Sequence, residues 1–239
     1  MATNDSALVQ HEPAFVLHAV PYRETSLVVE LITRSHGRIA CVAKGAKRPR
    51  SALRAVLLAF QPLRIAYRGR LELRTLTAAE WVGGIAAPQG DALLCGFYLN
   101  ELLLRLLARD DPHPELFDGY AQALAGLGGG AGVEATLRRF EWLLLREIGY
   151  AVDLERDAEQ RPIQAAHRYR LQPGQGFWVA DSADERSFAG QTLRDMAAGD
   201  YDSARTLSEA KRLTRAILSQ HLDGTKLKTR QILMDLQKL

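Results

Sequence analysis

The residues with the clearest chemical potential are ten lysines and arginines between positions 31 and 71, a stretch with no aspartate or glutamate. Cationic side chains at this density can neutralise the closely spaced charges of a polyanion. A solvated protein surface normally mixes both signs, because a field of one sign repels itself. The stretch therefore predicts a polyanion-binding surface, although well-hydrated strand and loop faces would have the same composition. The ten cations are Arg34, Arg38, Lys44, Lys47, Arg48, Arg50, Arg54, Arg64, Arg68 and Arg70.

Part of this run is expected on an exposed loop. The sequence GAKRPRS at 45–51 lies between two segments with strand character, and Gly45 and Pro49 disfavour a long helix there. Its cations would project into solvent, whereas those on strands would line a groove. The strongest candidates for nucleic-acid contact are the loop residues Lys44, Lys47, Arg48 and Arg50, followed by the strand residues Arg34, Arg38, Arg64 and Arg68.

Charge is segregated along the rest of the chain. The net charge of +3 divides into +6 over 1–80, −8 over 81–202 and +5 over 203–239. A second basic cluster near the C-terminus is equally consistent with an ordinary helix face and with an auxiliary site for DNA or an acidic partner. The auxiliary candidates are Lys211, Arg212, Arg215, Lys226, Lys228 and Arg230, joined by Arg138 and Arg139 beside an apolar stripe.

No familiar catalytic or metal-binding constellation accompanies these cations. The six histidines are scattered, the two cysteines lack metal-ligand spacing, and no G-x-S-x-G elbow occurs. GLGGGAG at 126–132 lacks the Lys-Ser or Lys-Thr of a phosphate-binding loop, so a flexible linker between helices is expected. Four alternating acids at 153–159 lack the glycine turn and closing glutamate of a calcium loop. We therefore expect no catalysis, no metal and no cofactor.

Five short strands should position the first basic segment. They alternate apolar with polar side chains or are rich in β-branched residues, and they cover 14–20, 26–33, 38–44, 62–68 and 70–80. Gly37 and Gly69 would supply tight turns. The last strand is expected to turn Leu71, Leu73 and Leu76 inward, and Phe15 and Phe60 should belong to the barrel core. Five strands in this length predict a closed OB-fold barrel.

From about Asp91 the apolar spacing becomes helical, with Asp91 as the expected N-cap and Pro114 in the first turn of the next helix. Further helices are expected at 134–150, 204–222 and 226–239, and 167–181 reads as a hairpin around PGQG. The predicted fold is α+β. A five-stranded OB-fold domain covers 1–82, and a mainly α-helical domain with a short β insertion near 167–181 covers 83–239.

Composition is that of a globular protein, with 239 residues, 47% of them hydrophobic and 25% charged. No run approaches the roughly 20 apolar residues of a membrane helix. The N-terminal residues lack the basic-then-apolar order of a signal peptide, and two cysteines give no disulfide framework. We expect a cytoplasmic protein without a membrane partner, associated with the nucleoid if it binds DNA.

Six stretches of the chain, taken in order, resemble the RecO family of bacterial recombination mediators. Each stretch is weak alone, but six in the family's order over nearly the whole chain are specific. They are FVLHAVPYRETSLVVELITRSHGRIACVAKGAKRPRS (15–51), LLAFQPL (57–63), GRLELRTLTAAE (69–80), FYLNELLLRLL (97–107), LRRFEWLLLREIGY (137–150) and AKRLTRAILSQHLDGTKLKTRQIL (210–233).

The resemblance implies an N-terminal OB-fold and a helical C-terminal domain. It also implies binding to single- and double-stranded DNA, annealing of complementary strands, and help in loading the recombinase onto strands covered by single-strand-binding protein. The implied partners are RecR and the acidic C-terminal tail of that single-strand-binding protein. Some family members hold a four-cysteine zinc site after the central helix; 151–185 contains no cysteine here, so no zinc is expected. Thr229 stands where the family usually has serine, and it keeps the hydroxyl.

Few aromatic residues precede Trp81, namely Phe15, Tyr22, Phe60 and Tyr67. Contacts with the phosphate backbone should therefore dominate over base stacking, with weak sequence preference and strong salt dependence. A different class of function stays open: an adaptor whose basic surface binds an acidic protein instead of DNA. A nuclease would need acidic metal ligands beside the basic segment, which 31–71 does not offer.

Overall fold

A five-stranded barrel forms the N-terminal part of the computed structural model, which describes residues 8–130, 132–181, 184, 186–222, 227–229 and 231–232. The sheet closes in the order β1-β2-β3-β5-β4, with β3 and β5 parallel and the other neighbours antiparallel. This confirms the predicted OB-fold and the α+β class. The strands are β1 (Leu8–Tyr22), β2 (Ser26–Thr33), β3 (Gly37–Ala43), β4 (Leu63–Arg68) and β5 (Leu73–Trp81).

Alternation along the strands fills the barrel with apolar side chains. Val29 and Leu31 of β2, with Ile39 and Cys41 of β3, are fully buried in one cluster that also holds Tyr67 of β4. Residues between them point outward, because successive side chains of a strand lie on opposite faces. A short helix that the sequence did not predict, α1 (Ala52–Val56), joins β3 to β4.

The inward face predicted for the last strand is wrong for two of its three leucines. Leu76 is buried, but Leu71 and Leu73 are 80% and 43% exposed. The inward position belongs to Arg74, whose guanidinium lies 5.6 Å from the ring centre of the buried Tyr67. Arg74 also pairs with Asp110 at 2.5 Å, so a charged residue takes the place that alternation assigned to an apolar one.

Two helices pack against the barrel: α2 (Asp91–Leu106) and α3 (Pro114–Gly129). Phe15 and Phe60 are buried as predicted, but in this outer layer and not in the barrel interior. The ring of Phe15 lies 5.3 Å from that of Phe117 on α3, and Phe60 lies 4.9 Å from Phe97 on α2. Asn100 of α2 donates a hydrogen bond to the carbonyl of Leu17 at 2.9 Å.

The ends of these helices correct two predictions. Gly90, with φ +53°, occupies the N-cap of α2, and Asp91 is the first helical residue instead of the cap. The expected glycine-rich linker is helical through Gly129 and ends at Gly130 in the left-handed region. Gly128 has to lack a side chain, because a Cβ there would lie 2.1 Å from the carbonyl oxygen of Ala86. Pro114 does begin α3, as predicted.

The chain forms two compact units. The first takes in 1–133 and 226–239, and the second takes in 134–225. The barrel and the helices α2 and α3 therefore belong to one unit, together with the described residues 227–229 and 231–232. The carboxylate of Glu101 holds this last segment by accepting hydrogen bonds from the backbone N–H groups of Lys228 and Thr229, both at 2.9 Å.

The second unit contains the helices α4 (Val133–Glu147), α5 (Gly190–Ala197) and α6 (Ala204–His221). Its small sheet has the order β7-β6-β8, formed by β6 (Arg168–Gln172), β7 (Gly176–Val179) and β8 (Ser187–Ala189). The predicted hairpin around PGQG is confirmed, whereas the third strand and α5 were not foreseen. Part of the helix predicted at 226–239 lies outside the described residues; 228, 229, 231 and 232 are helical.

Candidate nucleic-acid interface

A groove of about 780 Å³ opens at one end of the barrel, between the β1–β2 turn and the loop that follows β3. The turn contributes Tyr22 and Arg23, and the loop contributes Lys44 and Arg48. These three cations face one carboxylate on the groove wall, that of Glu24. A concave surface with excess positive charge raises the local concentration of an anionic ligand.

The loop after β3 is held in place although its cations are exposed. Ala46 is fully buried in the barrel core, so its methyl group anchors the middle of the loop. The backbone N–H of Lys47 donates to the carbonyl of Thr25 at 2.9 Å, and Lys47 Nζ donates to the carbonyl of Arg23 at 3.4 Å. Gly45 supports the turn with φ +71°. The groove therefore has two walls that are tied to each other.

The cations of the loop remain available for a ligand. Lys44, Lys47, Arg48 and Arg50 are exposed. Within the described part of the chain, no ion pair joins an acid to any of the four. Arg23 lies 5.2 Å over the ring centre of Tyr22, which leaves its charge at the groove.

Strand register defines a row of outward side chains that continues the groove floor. Val28 of β2 pairs with Val42 of β3, which pairs in turn with Thr75 of β5. Thr75 is also the partner of the exposed Arg68 on β4. Directly paired residues project from the same face of a sheet, so Arg68 stands at the far side of this floor.

Arg34 and Arg38 lie at the opposite end of the β2–β3 hairpin from the groove and are already paired with acids. Arg34 Nη2 is 2.8 Å from Asp118 Oδ2 of α3, and this carboxylate raises the pKa of Arg34. Arg38 Nη1 is 3.4 Å from Glu30 Oε2, and Arg109 contacts the same carboxylate. Burial lowers the pKa of Arg38. Although the segment 31–71 itself contains no acidic residue, acids from other parts of the chain lie beside Arg34 and Arg38 in the folded protein.

Arg64 also lies away from the groove. It is exposed on β4, where its neighbour across the sheet is Glu80 of β5. Opposite charges at paired positions attract each other and reduce the net field of that face. Of the four strand cations predicted to line a groove, the structure therefore brings Arg68 to it and holds Arg34, Arg38 and Arg64 elsewhere.

The predicted set missed Arg23, which lines the groove, and left Tyr22 among the aromatic candidates without assigning it to the site. Arg23 lies outside the acid-free run and is followed by Glu24, so its local charge density is unremarkable. Its position in the β1–β2 turn was the usable signal, because OB-folds bind ligands with the strands 2–3 face and the adjoining loops. Tyr67, Phe15 and Phe60 are buried, which leaves Tyr22 as the aromatic residue at the groove.

The auxiliary candidates have varied surroundings. Arg138 is buried and pairs with the buried Glu141 at 2.8 Å, whereas Arg139 is exposed and lies over the ring of Tyr201. On α6, Lys211 contacts Glu134 at 3.3 Å, Arg212 lies over Phe188, and Arg215 is exposed. Lys228 is exposed beside Glu101 in the first unit. Lys226 and Arg230 lie outside the described residues.

Among the described residues, no group of three or more His, Cys, Asp or Glu side chains could hold a metal ion. Cys41 is buried, and this burial raises the pKa of its thiol to about 12. In the same part of the chain no helix is long and apolar enough to cross a membrane.

Comparison with known proteins covers nearly the entire chain. A family model described as Recombination protein O N terminal matches residues 8–85, and one described as Recombination protein O C terminal matches 87–231. The DNA repair protein RecO of Burkholderia pseudomallei is 53% identical over 97% of this chain and 85% of its own length. Those of Aromatoleum aromaticum and Polynucleobacter asymbioticus are 50% and 49% identical, over 97% and 98% of this chain and 98% and 99% of their own lengths.

Proposed function

Because the chain belongs to the RecO family of DNA repair proteins, we propose that it acts in homologous recombination by binding single- and double-stranded DNA at the groove of its barrel. In this role it anneals complementary strands and helps load the recombinase onto strands covered by single-strand-binding protein. It needs no catalytic residue of its own. Its place of action is the nucleoid.

The observation that carries this proposal is the groove wall of exposed cations. Lys44 and Arg48 line the groove, and Lys47 and Arg50 extend it along the same loop. Phosphate contacts by lysine and arginine carry no sequence information, so binding should be similar for different sequences. If about four phosphates of a single strand are neutralised, the slope of log affinity against log salt should be near −3.

Annealing follows from the same electrostatics. Two strands repel each other through their phosphates, and cations bound along one strand reduce that repulsion for the approach of the second. A surface that grips mainly the backbone leaves the base edges free to pair. The protein thus accelerates a favourable reaction without taking part in bond making or breaking.

Charge reversal of the loop tests the proposal. The variant Lys47→Glu, Arg48→Glu, Arg50→Glu should lose annealing of complementary oligonucleotides and most of its affinity for DNA. A matched control reverses Arg186, Arg194 and Arg205, three exposed arginines of the second unit, and changes the net charge equally. Annealing by the loop variant at low salt would refute the assignment, as would an equal loss in the control.

Binding of the purified protein to labelled DNA without any partner separates this function from the adaptor alternative. A protein that binds only an acidic protein would leave the oligonucleotide unshifted at every salt concentration. A shift that falls steeply with salt supports the DNA-binding function, because counterion release is its origin.

The acidic tail of single-strand-binding protein is proposed to bind the second unit. The exposed Arg139 of α4 and Arg215 of α6 offer positive charge there, and the half-buried Lys211 adds a cation that also contacts Glu134. Arg138, the neighbouring candidate on α4, is buried in its ion pair with Glu141, so we do not assign it a contact with the tail. The affinity for a labelled tail peptide, measured by titration, should be about tenfold lower or more in the double variant Arg139→Glu, Lys211→Glu. RecR is the second proposed partner, and co-elution from a sizing column checks it.

A further inference from the structure

The outer face of the barrel beside the groove carries apolar side chains that the fold itself does not bury. Leu71 is 80% exposed and Leu73 is 43% exposed, and Val20 on β1 is 40% exposed. A single exposed leucine is ordinary on a protein surface, but a connected set of exposed apolar side chains next to a charged groove indicates a binding site.

Strand register shows that four of these side chains belong to one surface. Val20 pairs with Val28, and Val28 pairs with Val42, so the three valines form a row across β1, β2 and β3. Leu73 lies two residues before Thr75 on β5, hence on the same face as this groove residue. Its direct partner is Ala40 of β3, so Leu73 neighbours Val42 of the row diagonally. We call Val20, Val28, Val42 and Leu73, with Leu71 at the adjoining loop, the apolar belt.

Cations border the apolar belt at the groove end and at the β4 end of the valine row. Lys44 and Arg48 stand at the groove end, and the exposed Arg68 pairs with Thr75 at the end of the valine row. On the side away from the groove, Glu30 of β2 is paired with Arg38 and Arg109. An apolar floor with a cationic border matches one ligand in particular. A single DNA strand has charged phosphates on one side and unpaired bases with apolar faces on the other, whereas a duplex keeps its base faces stacked inside.

We propose that the apolar belt contacts the faces of unpaired bases, with Leu71 and Leu73 as its principal contacts, so that the groove distinguishes single strands from duplex. The inference rests on the proposed DNA binding and adds the residues that give the preference. Aromatic rings usually supply such contacts in proteins that bind single strands. Here Tyr22 is the aromatic residue at the groove, and aliphatic side chains take over the remaining contacts. They cover base faces and leave the pairing edges open.

The test compares affinity for a single strand with affinity for the matching duplex. The variant Leu71→Ser, Leu73→Ser should bind the single strand about tenfold more weakly, because burial of apolar surface is lost. This factor should persist across a salt series with an unchanged slope, since no phosphate contact is removed. Affinity for the duplex should change less than twofold. Restoration of single-strand affinity in Leu71→Met, Leu73→Met would show that apolar character is the required property.

Leu58→Ser is the matched control, because Leu58 is 55% exposed in the same unit but does not belong to the apolar belt. It should leave both affinities unchanged, and a thermal melt verifies that each variant is folded. Unchanged single-strand affinity in the double serine variant would overturn the inference and assign the leucines to a protein partner. An equal loss on single strand and duplex would overturn it too. If the unaltered protein binds no DNA, the proposed function itself fails, so the two failures are distinct.

Discussion

Arg34 at the end of β2 and Asp118 on α3 form a two-point ion pair, with Nε 3.0 Å from Oδ1 and Nη2 2.8 Å from Oδ2. Arg34 is one of the ten cations of the acid-free segment, yet its charge joins the barrel to a helix. Bidentate pairing with a carboxylate fixes the guanidinium in orientation. It also lowers the pKa of Asp118, so the pair stays charged under mildly acidic conditions.

The first prediction separates Arg34 from the groove cations. Arg48→Ala should weaken single-strand binding about fourfold at about 0.15 M salt, because each phosphate contact contributes a slope of about 0.7. Arg34→Ala should weaken it less than twofold and should instead lower the melting temperature slightly. Fluorescence anisotropy over a salt series measures both. If the two variants lowered the single-strand affinity equally, Arg34 would have to be counted among the DNA-contacting residues.

The second prediction concerns the anchor of the C-terminal segment. Burial alone would raise the pKa of Glu101, but hydrogen bonds from Thr229 and Lys228 and the nearby Arg105 lower it overall. A carboxylate with a depressed pKa stabilises the folded state above its unfolded value of about 4.3, and this contribution is lost as pH falls through the folded pKa. Hydrogen exchange at the amides of Lys228 and Thr229 should therefore quicken, relative to the intrinsic rate, below about pH 4.

Glu101→Ala should remove this protection at neutral pH as well. The acidic partner of Arg105 is lost at the same time, since Arg105 Nη2 lies 2.8 Å from the same carboxylate. Arg105→Ala provides the control, because it keeps the hydrogen-bond acceptor and removes only the ion pair. Slow exchange at residue 228 in Glu101→Ala would show that other contacts hold the segment.

The third prediction tests the close approach of Gly37 to the loop after α2. A Cβ at this position would lie 2.0 Å from the carbonyl oxygen of Asp111, and the backbone has φ +66°. Gly37→Ala should destabilise the protein by more than about 2 kcal/mol, measured by urea denaturation, because steric overlap adds to backbone strain. Gly130→Ala is the control, because Gly130 has a left-handed backbone with φ +72° and no atom within 4 Å of the new Cβ. It should cost about 1 kcal/mol.

The fourth prediction addresses the buried ion pair of α4. Arg138 and Glu141 are both inaccessible, and Thr214 of α6 donates to Glu141 Oε2 at 2.6 Å. Glu141→Ala leaves a buried cation without its partner and should cost about 3–5 kcal/mol of folding free energy. Replacing both charges, as in Arg138→Met, Glu141→Leu, should cost much less. Chemical denaturation of the two variants decides whether the pair is a structural element.

Sequence patterns were sufficient for the barrel because its strands obey simple alternation. They were insufficient where a charged residue takes an interior place, as Arg74 does beside Tyr67. The alternation predicts that Leu71 and Leu73 are buried, because apolar residues are expected in the interior in preference to an arginine. The partners that bury Arg74, Asp110 above all, come from a distant part of the chain and leave no local trace.

The sequence was sufficient to predict which cations of the loop are exposed, but not which cations of the strands lie at the groove. Lys47, Arg48 and Arg50 stand in a segment where glycine and proline exclude a long helix, so exposure followed from local chemistry. Whether Arg38 or Arg68 reaches the groove depends instead on which end of the barrel each occupies. That depends on strand register and on acids such as Glu30, which lies one residue before the acid-free run begins.

The grip of Glu101 on residues 228 and 229 has a consequence for biosynthesis. The second unit, 134–225, is inserted between two parts of the first, so the first unit is discontinuous along the chain. A ribosome delivers the barrel early but supplies the segment that caps Glu101 only after the whole inserted unit has been made. The N-terminal unit is therefore completed only after the second unit has been translated, and a nascent chain that stops before residue 228 leaves Glu101 with Arg105 but without the two backbone donors of residues 228 and 229.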